Sequence, residues 1–156
     1  MSREKFAFFG KDGSGQMPRW GTGGRPARHF VSSQGAGAGY TGFAMNCLFC
    51  KIVDGQIPST AVFEDDLVYA FADLHPQAPV HVLIVPREHI ASIEETDQSK
   101  QAVLGRLQWA AAQIARDRGL SNGYRIVVNT GKDGGQTVDH LHLHLLGGRA
   151  MSWPPG

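Results

Sequence analysis

Cysteine is almost missing from this chain: Cys47 and Cys50 are the only two in 156 residues. They lie too close together to staple a fold, so no disulfide framework organises the molecule. Net charge is nearly missing as well, at +1 with histidine neutral. That removes any bulk electrostatic case for nucleic acid or a membrane surface. No run of residues approaches the ~18 apolar positions of a membrane span. The first apolar patch, Phe6-Ala7-Phe8-Phe9, is too short for the hydrophobic region of a secretory signal. The expectation is a cytoplasmic protein with one folded domain and no nucleic-acid or membrane partner.

The first 44 residues lack any helical or strand period. They hold ten of the 20 glycines, and six Lys/Arg against two Asp/Glu. Such a segment cannot bury enough apolar surface to offset its ordering entropy. Residues 1–44 read as a disordered glycine-rich extension and residues 45–156 as the folded domain. The glycine pairs at Gly13-Ser14-Gly15 and Gly21-Thr22-Gly23-Gly24 do not sit between a strand and a helix, so neither reads as a phosphate loop.

After Met45 the pattern sharpens. Leu48–Val53 is a short helical turn closed by Asp54-Gly55. Ala61–Glu64 and Leu67–Ala72 flank Asp65-Asp66 and read as a hairpin. Val80–Pro86 is a buried strand stopped by proline. A helix is expected from Thr96, as its cap, to Gly119, with Val103, Leu107, Ala110 or Ala111, and Ile114 as its apolar stripe. Tyr124–Asn129 is another strand, followed by a loop over 131–137. Short turns between strands, plus one long helix, predict an α+β fold with a mainly antiparallel sheet.

The most informative stretch is Asp139-His140-Leu141-His142-Leu143-His144-Leu145-Leu146. In a strand, period two puts His140, His142 and His144 on one face and the leucines on the other. A solvated strand would explain the alternation but not the repeated choice of histidine. Imidazole is nucleophile, proton carrier and metal ligand near neutral pH. Just before it, Gly131, Gly134 and Gly135 let backbone N–H groups approach an anion, and Gln136 and Thr137 add side-chain donors. An ordinary glycine turn is the plain alternative; beside three imidazoles a phosphate is the better fit. Cys47-Leu48-Phe49-Cys50 has zinc spacing but supplies half a site, with His89 and His140 as candidates for the rest. His81 on its own would read as a satisfied core residue, and Asp73 as a turn former or an acceptor of sugar hydroxyls.

The His140–Leu146 pattern resembles the His-x-His-x-His-x-x signature of the histidine triad (HIT) superfamily. Ala72–His81, Ile84–Ile90, Gly123–Arg125, Asp133–Gln136 and the ending Trp153-Pro154-Pro155-Gly156 are similar to its Hint branch. The resemblance covers about residues 46–156. It implies a HIT-like fold, with a five-stranded sheet, one long helix and a short N-terminal helix, and a homodimer whose sheets join. It implies hydrolysis of purine nucleoside 5′-phosphoramidates, such as adenylate linked to lysine, through a nucleotidyl-histidine intermediate.

By motif, the resemblance makes His142 the nucleophile, with His140, His144 and His81 around it. Gln136 and Thr137 would meet the phosphate or leaving group, Asn129 would lie nearby, and Asp73 would hold the ribose. Phe49, Ile52, Ile57 and Phe71 would line the base pocket. Relatives with the cysteine pair bind zinc, which here implies Cys47, Cys50, His89 and His140. Thr137 departs from a serine common in relatives. The Fhit-like alternative, dinucleoside polyphosphate hydrolysis, fits the Trp-Pro-Pro-Gly ending poorly. A noncatalytic nucleotide- or zinc-binding adaptor is the alternative from another class, and the intact triad argues against it.

Overall fold

The computed structural model describes residues 46–155. The expected extension over 1–44 lies outside the described residues. Among these there are two α-helices, α1 (Leu48–Val53) and α2 (Gln101–Asp117), and five strands. The strands are β1 (Ala61–Glu64), β2 (Val68–Ala72), β3 (Val80–Pro86), β4 (Tyr124–Val128) and β5 (Leu143–Gly147). They form one antiparallel sheet in the order β1-β2-β3-β5-β4. The α+β expectation, with one long helix and a short first helix, holds.

Alternation along the central strands divides the sheet into two environments. Ala70 of β2, Val82 and Ile84 of β3, and Leu143 and Leu145 of β5 pack with the α2 stripe of Val103, Leu107, Ala110, Ala111 and Ile114. Leu107 and Leu145 are fully buried, and each such side chain contributes about 1.5–3 kcal/mol. Phe71, Leu83 and Val85 point the other way and pack with Phe49 and Ile52 of α1. The chemistry-bearing side chains lie with this second cluster.

The β1–β2 hairpin closes on Asp65, whose Oδ1 accepts the N–H groups of Leu67 and Val68 at 2.8 Å. This local bond replaces a ladder pair and delays β2 to Val68. Arg106 of α2 pairs with the same carboxylate, Nε to Oδ2 at 2.6 Å, tying hairpin to helix.

The starts of α2 and of the histidine strand differ from the sequence expectation. α2 starts at Gln101, because two 3₁₀ turns, Ile93–Glu95 and Gln98–Lys100, precede it. Thr96 does not cap α2: its hydroxyl donates back to the Ile93 carbonyl at 2.6 Å and closes the first turn. Asp97 then accepts Ser99 N–H and opens the second. The histidine strand begins only at Leu143. Leu141 N–H bonds the Ile90 carbonyl at 2.6 Å, outside the sheet. The leucine face survives, with Leu141, Leu143 and Leu145 all buried.

The α2 stripe is spent on its own sheet. Trp109 lies off the stripe, 46% exposed, with the Arg106 guanidinium 4.2 Å from its ring centre. Among the described residues the sheet ends in two outer strands, β1 and β4, each paired on one side only.

Candidate active site and metal centre

Sheet register brings the histidines together. His144 lies opposite Leu83, and His81 opposite Leu146, on paired strands β3 and β5. The four expected base-pocket residues share one apolar cluster: Phe49, Ile52 and Phe71 are buried and Ile57 packs against them. Leu83 and Val85 are buried with them, and Val53, Tyr69 and Val138 pack against the cluster; the sequence reading missed these, although the alternation along β3 carries the signal for the first two. Phe49 stands edge-on to Phe71 at 5.6 Å, to His142 at 5.2 Å and to His140 at 5.9 Å. One ring therefore joins this apolar cluster to two of the three histidines.

The hydrogen-bond network assigns tautomers to His142, His81 and His144. His142 is 4% exposed, and its Nδ1–H donates to the His140 carbonyl at 2.6 Å. Its Nε2 therefore keeps the lone pair. The Gln77 amide donates to His81 Nδ1 at 3.2 Å, so His81 carries its hydrogen on Nε2 and donates to His144 Nδ1 at 2.9 Å. That leaves the His144 hydrogen on Nε2. The His142 and His144 rings are 5.0 Å apart.

Burial pushes His144 down to about 4, helped by neighbouring His142 and His81 and opposed by Asp73. Burial lowers His81 as well, against the pull of Asp73. Both rings are neutral near pH 7 and act there as hydrogen-bond donors and acceptors rather than cations. Asp73 Oδ2 is 3.4 Å from His81 Nε2, while its Oδ1 accepts His75 N–H at 2.8 Å.

The glycine loop is built for close approach. A Cβ on Gly134 would sit 2.2 Å from the Thr130 carbonyl oxygen, and Gly135 has φ +79. Gln136, however, spends its amide on the loop itself. Its Nε2 donates to the carbonyls of Ala91 and Val138, at 2.7 and 2.9 Å, and its Oε1 accepts Gly131 N–H at 3.1 Å. Gln136 fixes the loop, and the exposed Thr137 hydroxyl is the side-chain donor it presents. Asn129 follows the end of β4, partly buried.

The second cluster joins Cys47, Cys50, His89 and His140, whose donor atoms all lie within 4.8 Å of one another. Cys47 Sγ is 3.4 Å from His140 Nδ1, Cys50 Sγ 3.3 Å from His89 Nδ1, and the two Nδ1 atoms are 3.3 Å apart. A tetrahedron with zinc–sulfur bonds of about 2.3 Å and zinc–nitrogen bonds of about 2.0–2.1 Å has edges of about 3.3–3.8 Å. His140 Nε2 donates to the Pro86 carbonyl at 2.9 Å, which turns the lone pair on Nδ1 toward the cysteines. Burial, with the Cys47 thiol beside it, pushes the Cys50 thiol up to about 12; a divalent cation at the cluster is what allows that thiol to ionise near neutral pH. Donor set, distances and tautomer all fit zinc.

Residues 54–151 match the family model described as HIT domain. The chain is 48% identical over 111 residues to a protein of Arabidopsis thaliana named adenylylsulfatase HINT1, covering 70% of this chain and 76% of that one. It is 47% identical over 111 residues to a 14 kDa zinc-binding protein of Brassica juncea, covering 70% of this chain and 98% of that one. Among solved structures it is similar to a HIT family hydrolase from Legionella pneumophila, with TM-score 0.70 and 52% identity over 71% of this chain and all of that one.

Proposed function

This chain belongs to the HIT domain family, and we propose that it hydrolyses purine nucleoside 5′-phosphoramidates through a nucleotidyl-His142 intermediate. The observation that carries this reading is the His142 Nδ1 bond to the His140 carbonyl, which leaves Nε2 free to attack. Nε2 forms a bond to phosphorus, and the phosphorus–nitrogen bond of the substrate breaks as the amine takes a proton and departs. Water then attacks the phosphorus of the intermediate, releasing the nucleoside monophosphate and restoring the imidazole. His144 Nε2–H and the glycine-loop backbone donate to the phosphoryl oxygens as charge develops. Thr137 offers its hydroxyl on the solvent side, where the amine leaves. Asp73 accepts ribose hydroxyls, and the cluster around Phe49 and Phe71 takes the base. Zinc at Cys47, Cys50, His89 and His140, when bound, supplies a closed structural cross-link between α1 and the first triad residue; it leaves His140 no free nitrogen for proton transfer.

The test is turnover of adenosine 5′-phosphoramidate, run beside adenylyl sulfate because the Arabidopsis relative is named an adenylylsulfatase. Faster turnover of the phosphoramidate supports the reading; turnover of the sulfate alone moves the leaving group to sulfate. No turnover of either leaves the adaptor reading.

Two structural proposals accompany it. The free edge of β4, with Tyr124 41% exposed, supports a homodimer in which two sheets join edge to edge. Sedimentation at micromolar concentration is expected to give a dimer, and a fully active monomer would refute it. Residues 1–44, glycine-rich and without period, are proposed to be dispensable. A chain starting at Met45 is expected to keep its melting temperature within about 2 °C and its activity within about twofold, a size typical of changes that touch no buried feature; a larger loss in either would give the extension a docked role.

A further inference from the structure

Three groups beside His142 also make a ligand set. Asp73, His81 and His144 each offer one donor atom, and these atoms lie within 4.8 Å of one another. His81 Nε2 is 2.9 Å from His144 Nδ1 and 3.4 Å from Asp73 Oδ2. With metal–ligand bonds of about 2.1 Å, those edges correspond to ligand angles of about 90° and about 110°. The frame is fixed. His81 and His144 stand on paired strands, and Asp73 N–H bonds the His81 carbonyl at 3.1 Å. Asp73 Oδ1 is taken by His75 N–H, so Oδ2 is the oxygen turned to the histidines. The Asp73 side chain is 18% exposed, which leaves a way in.

We propose that Asp73, His81 and His144 form a second metal site, for a first-row divalent cation that accepts nitrogen and oxygen donors, such as cobalt, nickel or zinc. Two imidazoles and one carboxylate leave positions open for water, unlike the closed thiolate cluster. The ion takes the place of the hydrogen now shared between His81 and His144. That hydrogen moves to His81 Nδ1, and the Gln77 amide, on an exposed turn, gives up its bond there. If Asp73 holds the ribose, as in the reading above, the ion and a nucleotide exclude each other and the site is inhibitory.

The probe is cobalt(II), added to purified full-length protein and followed by visible absorption and calorimetry. Cobalt at the cysteine cluster shows a thiolate charge-transfer band, which separates the two sites. One cobalt per chain without that band is expected, together with a shift of the Gln77 amide resonance. Asp73→Asn and His81→Gln should each weaken it about tenfold or more, with wild-type melting temperatures. The site is overturned if cobalt binds only with the thiolate band, or if both folded variants bind it as the wild type does. A further arm adds adenosine monophosphate. If cobalt binds as expected but the nucleotide does not displace it, the metal site stands and the ribose assignment of Asp73 falls. If the nucleotide binds and no cobalt binds outside the thiolate cluster, the metal site falls and the nucleotide site stands.

Discussion

His142→Ala is expected to lower turnover of adenosine 5′-phosphoramidate by roughly 10³-fold or more, the scale of deleting a nucleophile from a unit that acts together. Its Nε2 is the one triad nitrogen with a free lone pair in the assigned network. His140 Nε2 is spent on Pro86 and its Nδ1 faces the cysteines; His144 Nδ1 accepts from His81. Nucleoside monophosphate binding should change far less, because Asp73 and the Phe49–Phe71 cluster remain. Rapid quenching of wild-type protein with labelled substrate should trap adenylate on an acid-labile, base-stable phosphohistidine bond. Label on another residue, or near-normal turnover by the variant, would sink the mechanism and leave the fold untouched.

The fold was legible where the signal is local and periodic. Val103, Leu107 and Ile114 stand on one helical face in the sequence and are buried together in the molecule. The period of two puts Leu141, Leu143 and Leu145 in the core. The beginnings of elements were less legible, because each is decided by a competition between nearby donors and acceptors. Thr96 has the chemistry of a cap, yet Asp97 beside it has a carboxylate, and the chain makes two 3₁₀ turns before α2. The early part of the histidine stretch leaves the ladder because Leu141 N–H finds Ile90, a residue far back in the chain.

The site shows the same division. Residue types and spacings marked the triad, the glycine loop and the cysteine pair. They could not show that Gln136 reaches the Ala91 carbonyl and so fixes the loop instead of facing outward with its amide free. Nor could they show tautomers, which depend on partners such as Pro86 for His140 and Gln77 for His81. An imidazole becomes a nucleophile or a ligand only when its second nitrogen is occupied, and that occupant lies elsewhere in the chain.

Removing the cysteine cluster is expected to have the second-largest effect, on stability first and catalysis second. Metal analysis of purified protein should find one zinc per chain, and Cys50→Ala should remove most of it. Loss of a bound metal belongs to the short list of changes that cost more than about 3 kcal/mol. At about 4 °C per kcal/mol for a domain of this size, the melting temperature should fall by roughly 12 °C. The catalytic consequence follows from two contacts. The His140 carbonyl accepts the His142 Nδ1–H, with nitrogen and oxygen 2.6 Å apart, and Phe49, between the two cysteines, packs on both rings. Freeing α1 and His140 loosens His142 from its tautomer and its wall. Turnover should fall about tenfold, of the size seen when groups supporting a ligand are lost, while nucleotide affinity changes little. Protein that is zinc-free as purified, stable in a strong chelator and unchanged by Cys50→Ala would end the zinc proposal. Zinc-bound protein whose turnover survives the substitution would keep the metal and deny it any hold on His142.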